Sequence, residues 1–290
     1  MKKFLAYVNY FIFWVFYFIV AKGLFLVYHH SITSELAVGE IFKVFLYGLR
    51  MDIAFTAYIC IFPFFLFFIS SIFKSFHPRR IIQIYTVVLV IFLSFLTVAD
   101  LELYSAWGYR MDATPLQYLT SPKEMGTSVS SSPLLLLLLI FIVLAVLFIW
   151  LYKRNNPRFY FHKNKNGISI PEVLFSLFLF VFLFIPIRGG IQKIPINQSD
   201  VYFSQKIFAD HAAINLPWNL THSILNKNSD QNPFKYFSDA KAKQLVDSLY
   251  NTGQVKIPSI LSTKKPNIIF IILESYTAKL VGCLGGEKGV

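Results

Sequence analysis

The sequence predicts an α-helical integral membrane protein, five transmembrane helices followed by an extracytoplasmic helical connector, and three observations predict it. Hydrophobic residues make up 56% of the 290 and charged residues only 14%, a balance that a purely soluble surface does not accommodate. The apolar residues are gathered into runs that can cross a hydrocarbon layer about 30 Å thick, which takes roughly 20 helical residues. Basic residues cluster in the turns on one side of those runs, as membrane orientation requires.

The first run extends from about Phe4 to Tyr28, the second from about Phe45 to Phe73 and the third from about Ile81 to Tyr104. The fourth covers Pro133 to Tyr152 and the fifth about Ile168 to Ile187. The stretches Ile53 to Phe73, Ile81 to Ala99 and Pro133 to Tyr152 carry no charge, so only a much larger protein or a bilayer can bury them. The first run follows Lys2 and Lys3 but is too long for the apolar part of a cleaved signal, so it is expected to remain as an anchor.

With the N-terminus in the cytoplasm, Lys2, Lys3, Lys74, Arg79, Arg80, Lys153, Arg154, Arg158, Lys163 and Lys165 all lie inside. The external loops, His29 to Glu40 and Gly108 to Ser132, then carry only Arg110 and Lys123. Five crossings deliver everything after Arg188 to the outer face. The net charge of +12, from 27 basic and 15 acidic residues, therefore reports orientation and does not imply a nucleic-acid partner. Cys60 and Cys283 are too few for a disulfide framework or a cysteine metal site. Tyr28, Tyr104, Trp107, Trp150 and Tyr152 near the run boundaries suit the headgroup layer.

Two short stretches at the outer rim resemble each other: Tyr47-Gly48-Leu49-Arg50-Met51-Asp52 and Trp107-Gly108-Tyr109-Arg110-Met111-Asp112. Two readings are open. Each Arg can pair with the nearby Asp, lowering the cost of burying either, or it can hold a lipid phosphate through its planar fork of donors. Arg50, Asp52, Arg110, Asp112 and Arg188 are thus candidate headgroup residues, with Asp100 and Glu102 at the same level. The adjacent His29 and His30 read as an interfacial polar pair, having no carboxylate near them in sequence. Asn197-Gln198-Ser199 and Asn219-Leu220-Thr221 match a glycosylation sequon too short to weigh.

The membrane domain is expected to cover residues 1–187 and the connector 188–263. Arg188-Gly189-Gly190 ends the last apolar run. Short helices are expected over Val201 to Asp210 and His211 to Asn226, the second broken at Pro217. Ser238 can cap a helix that runs to about Tyr250. A third region, 264–290, opens with Lys264-Lys265-Pro266-Asn267, followed by six apolar residues, Ile268 to Leu273. These are too few to span a bilayer and read as a strand buried in a parallel sheet. Glu274 follows at the strand's carboxyl end, where open α/β sheets gather ligands. It can bind a hard divalent cation, cap a helix or form an ion pair.

The stretch from Pro266 to Ser275 resembles the opening strand of the sulfatase-like catalytic domain in the lipoteichoic acid synthase family, within the alkaline phosphatase superfamily. The five-span arrangement, the Gly48-Leu49-Arg50-Met51-Asp52 stretch and the Arg188-Gly189-Gly190 exit are similar to that family in order and orientation. The resemblance implies an incomplete α/β sulfatase-like domain at the C-terminal end of the chain. It implies that Glu274 is a ligand of a catalytic divalent metal, often manganese, with zinc, magnesium and calcium as the other candidates. It also implies a bacterial plasma-membrane enzyme that moves a phosphoglycerol or related phospho-alcohol group from a membrane phospholipid to a lipid or glycan acceptor. That transfer would proceed through a covalent Thr intermediate.

The family nucleophile and its other metal ligands lie beyond the position of Val290, so no catalytic residue is assigned and the chain by itself is expected to be inactive. Ser275 and Thr277 both precede the place where the family carries its nucleophile. The competing expectation is a non-enzymatic scaffold or a transporter-like bundle. An odd number of spans without an evident inverted repeat, and charges confined to one rim, count against transport.

Overall fold

The structure is a computed structural model that describes residues 2–73, 75–116, 132–159, 169–226, 235–250 and 269. The chain divides into two compact units, Met1–Ser229 and Asp230–Val290. In the first, α1 (Lys2–Tyr28) is followed by the short α2 (His30–Thr33), α3 (Val38–Ile72) and α4 (Arg79–Trp107). Then come α5 (Leu134–Phe159), α6 (Ile170–Phe182) and its short continuation α7 (Phe184–Ile187). The connector holds a 3-10 turn (Gln198–Val201), α8 (Ile207–Ala213) and α9 (Leu216–Leu225). Five segments are long and apolar enough to cross a membrane: Phe4–Tyr28, Val38–Ile72, Arg79–Trp107, Leu134–Asn155 and Ile170–Ile187. That makes the chain a multi-pass membrane protein.

α3 begins at Val38, a turn and a half or more before the expected boundary, because the Glu40 carboxylate accepts the Ala37 N–H (2.9 Å) and closes the first turn. Its 35 residues make about 52 Å of helix, well beyond a ~30 Å hydrocarbon layer. The charge-free half, Ile53 onward, has the length to cross, and the earlier half, with Glu40, Lys43, Arg50 and Asp52, extends past it. Pro63 lies inside α3 and has no N–H to give the Ile59 carbonyl. Tyr85 of α4 supplies the missing donor, its hydroxyl lying 2.9 Å from that oxygen, the kind of repair that lets spans tolerate proline.

The core between the spans is aromatic. Tyr7, Tyr10, Trp14 and Tyr17 of α1 are buried against Phe64 and Phe67 of α3 and Phe148 and Tyr152 of α5. Ring centroids lie 4.6 Å apart for Tyr7–Phe64 and 4.8 Å for Tyr17–Phe148, both edge to face, the arrangement the ring quadrupoles favour. Two of the buried hydroxyls bond to α4: Tyr10 to Thr86 (2.9 Å) and Tyr17 to Ser94 (3.3 Å). α5 and α6 keep broad apolar faces outward, as Leu135, Leu139 and Phe178 show, which suits hydrocarbon as the solvent.

The connector departs from the expected pattern. Helices were expected over Val201–Asp210 and His211–Asn226 with a break at Pro217; instead a 3-10 turn precedes two helices that part at Ile214 and Asn215. Pro217 sits in the first turn of α9, where its missing N–H costs nothing. The Asn215 side chain caps that helix by accepting the Trp218 N–H (3.0 Å).

In the second unit α10 (Asp239–Tyr250) matches the expected helix, with Leu245, Val246 and Leu249 exposed along it. No strand occurs among the described residues. The expected strand Ile268–Leu273, save Ile269, lies outside them, and so does Glu274.

Candidate functional site

The polar residues converge where α1 ends, α3 begins and α4 ends, beneath the connector. At its centre Lys22 of α1 and Asp52 of α3 form an ion pair, Nζ to Oδ2 2.8 Å, with side chains only 3% and 1% exposed. The Asn215 amide donates to the other carboxylate oxygen, Oδ1, at 3.0 Å. One asparagine thus caps α9 with its oxygen and ties the connector to α3 with its nitrogen. Gly48 makes room for this contact: a Cβ there would collide with the Lys22 ammonium and lie 2.5 Å from the Ala213 carbonyl oxygen that ends α8.

A second buried pair joins Arg110 to Asp100 of α4, Nε to Oδ2 3.2 Å, at 8% and 1% exposure. The Met111 N–H donates to Asp100 Oδ1 (2.7 Å), and the Arg110 guanidinium lies 4.1 Å over the Phe25 ring, a cation–π contact. Gly108, with φ +73°, ends α4 in the left-handed conformation and turns the following chain back onto it. The Asn219 amide of α9 donates to the Met111 carbonyl (3.0 Å), and Gln198 donates to the Asn219 side-chain oxygen. Asn219 is 3% exposed and bonded on both sides, so its sequon has a structural explanation.

Neither six-residue stretch pairs its own Arg with its own Asp. In α3 two positions apart means about 200° around the helix, so Arg50 and Asp52 point to opposite sides. Asp52 turns inward to Lys22, while Arg50 stays 41% exposed and reaches Asp200 Oδ1 and the Gly189 carbonyl at 3.4 Å each. In the second stretch the roles reverse: Arg110 is buried, and Asp112 accepts the Thr114 N–H (2.8 Å) in its own turn. Arg188 donates to the Gln192 (3.0 Å) and Lys193 (2.7 Å) carbonyls of the loop that follows it. Glu102 accepts from the Tyr28 hydroxyl at 2.7 Å. Of the five headgroup candidates, Arg50 alone combines substantial exposure with long hydrogen bonds.

Lys22 was not legible as a site residue, although a single cation inside an otherwise apolar span is a signal that a buried acid waits for it. Asn215 carried only its capping pattern.

His29 is packed among Phe25, Tyr28, Tyr104 and Phe208, and His211 bonds through Nδ1 to the Tyr104 hydroxyl (3.1 Å). Burial first, and the nearby Arg110 charge second, hold both imidazoles below the usual histidine pKa. Burial likewise raises the Tyr202 phenol, with Asp210 adding to it. Among the described residues no three His, Cys, Asp or Glu side chains gather as a metal site; the metal expectation rests on Glu274, outside them. Comparison of the chain with protein-family models, curated proteins and solved structures returned no match.

Proposed function

We propose that the chain is the membrane-anchored portion of a sulfatase-like phosphotransferase or hydrolase that takes its donor from the phospholipids around it. The N-terminus lies in the cytoplasm of a bacterial plasma membrane and everything after Arg188 lies outside. The observation that carries this reading is the docking of the connector. Asn215 on Asp52 of α3 and Asn219 on the Met111 carbonyl just beyond α4 fasten α9 to the end of the bundle. A catalytic domain that follows such a connector meets lipid headgroups at high effective concentration.

The chain's own residues bind and orient in this scheme. Arg50, with Arg188 beside the same exit loop, presents cationic donors to a phosphodiester. A divalent cation held by Glu274, if bound as the resemblance implies, would supply Lewis acidity at phosphorus. The buried ion pairs Lys22–Asp52 and Arg110–Asp100 gather at one end of the spans, which disfavours the transporter-like alternative.

Two measurements test the proposal. Cysteine placed at Ile191, 93% exposed after the last span, in a chain lacking Cys60 and Cys283, is labelled by an impermeant maleimide in intact cells; labelling only after lysis reverses the topology and sinks the proposal. The product of the natural gene moves label from a headgroup-labelled phospholipid in the presence of manganese, and Glu274→Gln abolishes that; transfer undiminished in Glu274→Gln refutes the assignment of that residue.

A further inference from the structure

α1, α3 and the α6–α7 segment leave a groove of about 570 Å3 between them, within the roughly 300–1,000 Å3 of small-molecule sites. Its walls are apolar: Val8 and Phe11 of α1, Ile53 and Phe64 of α3, Leu179 of α6 and Ile185 of α7. One end is closed by Arg50 and the Gly189-Gly190 turn. Along α3, Arg50 and Phe64 are separated by about 21 Å of helix, enough for the ~15 Å of hydrocarbon that one leaflet contributes. Lining side chains such as Phe182 (49% exposed) are also reachable from outside the bundle, so the groove opens sideways.

The polar end determines what fits. Among the described residues Arg50 is held by two 3.4 Å contacts, to Asp200 and the Gly189 carbonyl. Arg188 and Lys193 belong to the same exit loop, so cations outnumber Asp200 there. Gly189 and Gly190, at φ +77° and +132°, fold that loop tightly; a Cβ on Gly189 would lie 2.6 Å from the Ile196 side chain. A phosphodiester offers the guanidinium two non-bridging oxygens that share one negative charge and can accept from its fork together, a stronger partner than one carboxylate oxygen at 3.4 Å.

We propose that this groove binds one acyl chain of an anionic phospholipid, with the lipid phosphodiester displacing Asp200 from Arg50. The site deepens the donor-lipid reading above and rests on the chain spanning a membrane, but it requires no catalysis. A phosphatidylglycerol-type lipid is favoured over a zwitterionic one because the uncompensated charge at the groove mouth is positive. A single chain suffices, so a lyso form should occupy the groove as well as a diacyl form.

The full chain, purified in a neutral detergent, is titrated with phosphatidylglycerol, lysophosphatidylglycerol, phosphatidylcholine or water-soluble glycerophosphoglycerol while thermal unfolding is followed. A ligand that binds only the folded state raises Tm with its concentration. The expected result is a saturable rise with both phosphatidylglycerols, a midpoint at least tenfold higher for phosphatidylcholine, and no rise with the headgroup alone. Arg50→Gln is expected to abolish the preference and Val8→Trp, which fills the groove, to abolish the rise. Asp200→Asn, which removes the competitor, should lower the phosphatidylglycerol midpoint several-fold, a gain that misfolding cannot imitate.

Equal midpoints for the anionic and zwitterionic lipids overturn the proposal, as does a response to the headgroup alone or an Arg50→Gln variant that keeps its preference. Lipid binding without transfer by the natural gene product removes the enzymatic reading alone; transfer without the saturable rise removes the groove alone.

Discussion

Replacing Lys22 by Met should destabilise the bundle far more than an ordinary apolar substitution in a span. At 2.8 Å and an effective dielectric of about 20, the attraction between Lys22 and Asp52 is about 6 kcal/mol. Desolvating each ion costs several kcal/mol, so the intact pair is near break-even. Deleting one member leaves the other buried with its desolvation uncompensated; Asp52 would keep only the Asn215 amide. Such deletions cost about 3–5 kcal/mol, and that is the expected loss for Lys22→Met in equilibrium unfolding in mixed micelles. Adding Asp52→Asn removes the stranded charge while leaving an oxygen to accept from Asn215, so the double variant should regain at least half the loss. A Lys22→Met variant within about 1 kcal/mol of the parent, or a double variant no more stable than the single, refutes the reasoning.

Gly48→Ala and Gly108→Ala should differ in kind. The first pushes a methyl into the Lys22 ammonium and the Ala213 carbonyl and is expected to cost about 1–3 kcal/mol, less when Lys22 is already Met, since coupled sites are not additive. Gly108 has open space but φ +73°, so Gly108→Ala should cost about 1–2 kcal/mol and add in full to Lys22→Met. The same unfolding assay reads both; full additivity for Gly48→Ala contradicts the close approach. For pH, His29 and His211 have pKa values below the ordinary 6.5 when folded. Their neutral forms contribute stability that is fully present above about pH 6.5 and lost as pH falls through the lowered folded values. Tm should therefore drop from pH 7.5 to 5.5, and His29→Gln/His211→Gln should flatten the decline; a double variant with the parent's slope rules the histidines out.

Run length and charge bias made the spans legible, because both report the solvent directly: hydrocarbon tolerates neither bare backbone nor unpaired charge. The ends were less legible. α3 starts at Val38, where the pattern of apolar residues gives way to Glu40 and Lys43, since the helix continues beyond the hydrocarbon and is held there by Ala37 and Glu40. The sequence puts Arg50 and Asp52 two positions apart, but their partners were invisible, because Lys22, Asp200 and Asn215 reach them from 30, 150 and 163 positions away. Likeness between the two six-residue stretches misled for a related reason: one is helical throughout, the other passes through a left-handed Gly108. Backbone conformation, not residue identity, decides which member of the Arg–Asp couple turns inward.

Tyr and Phe rings of α1 pack edge to face with α3 and α5 in the spanning part, where burial in protein and burial in lipid differ little and shape complementarity must hold helices together. Toward the connector the packing is supplemented by polar contacts of another kind. Two buried acids there each have one oxygen on a cation and one on an N–H: Asp52 on Lys22 and Asn215, Asp100 on Arg110 and Met111. Such pairs contribute little net stability, yet they penalise any other docking of α9, which would strand Asn215 and Asn219 without partners at about 1–3 kcal/mol each. The connector is therefore specified by what misplacement would cost, and an apolar interface of the same area would have let α9 slide along the rim.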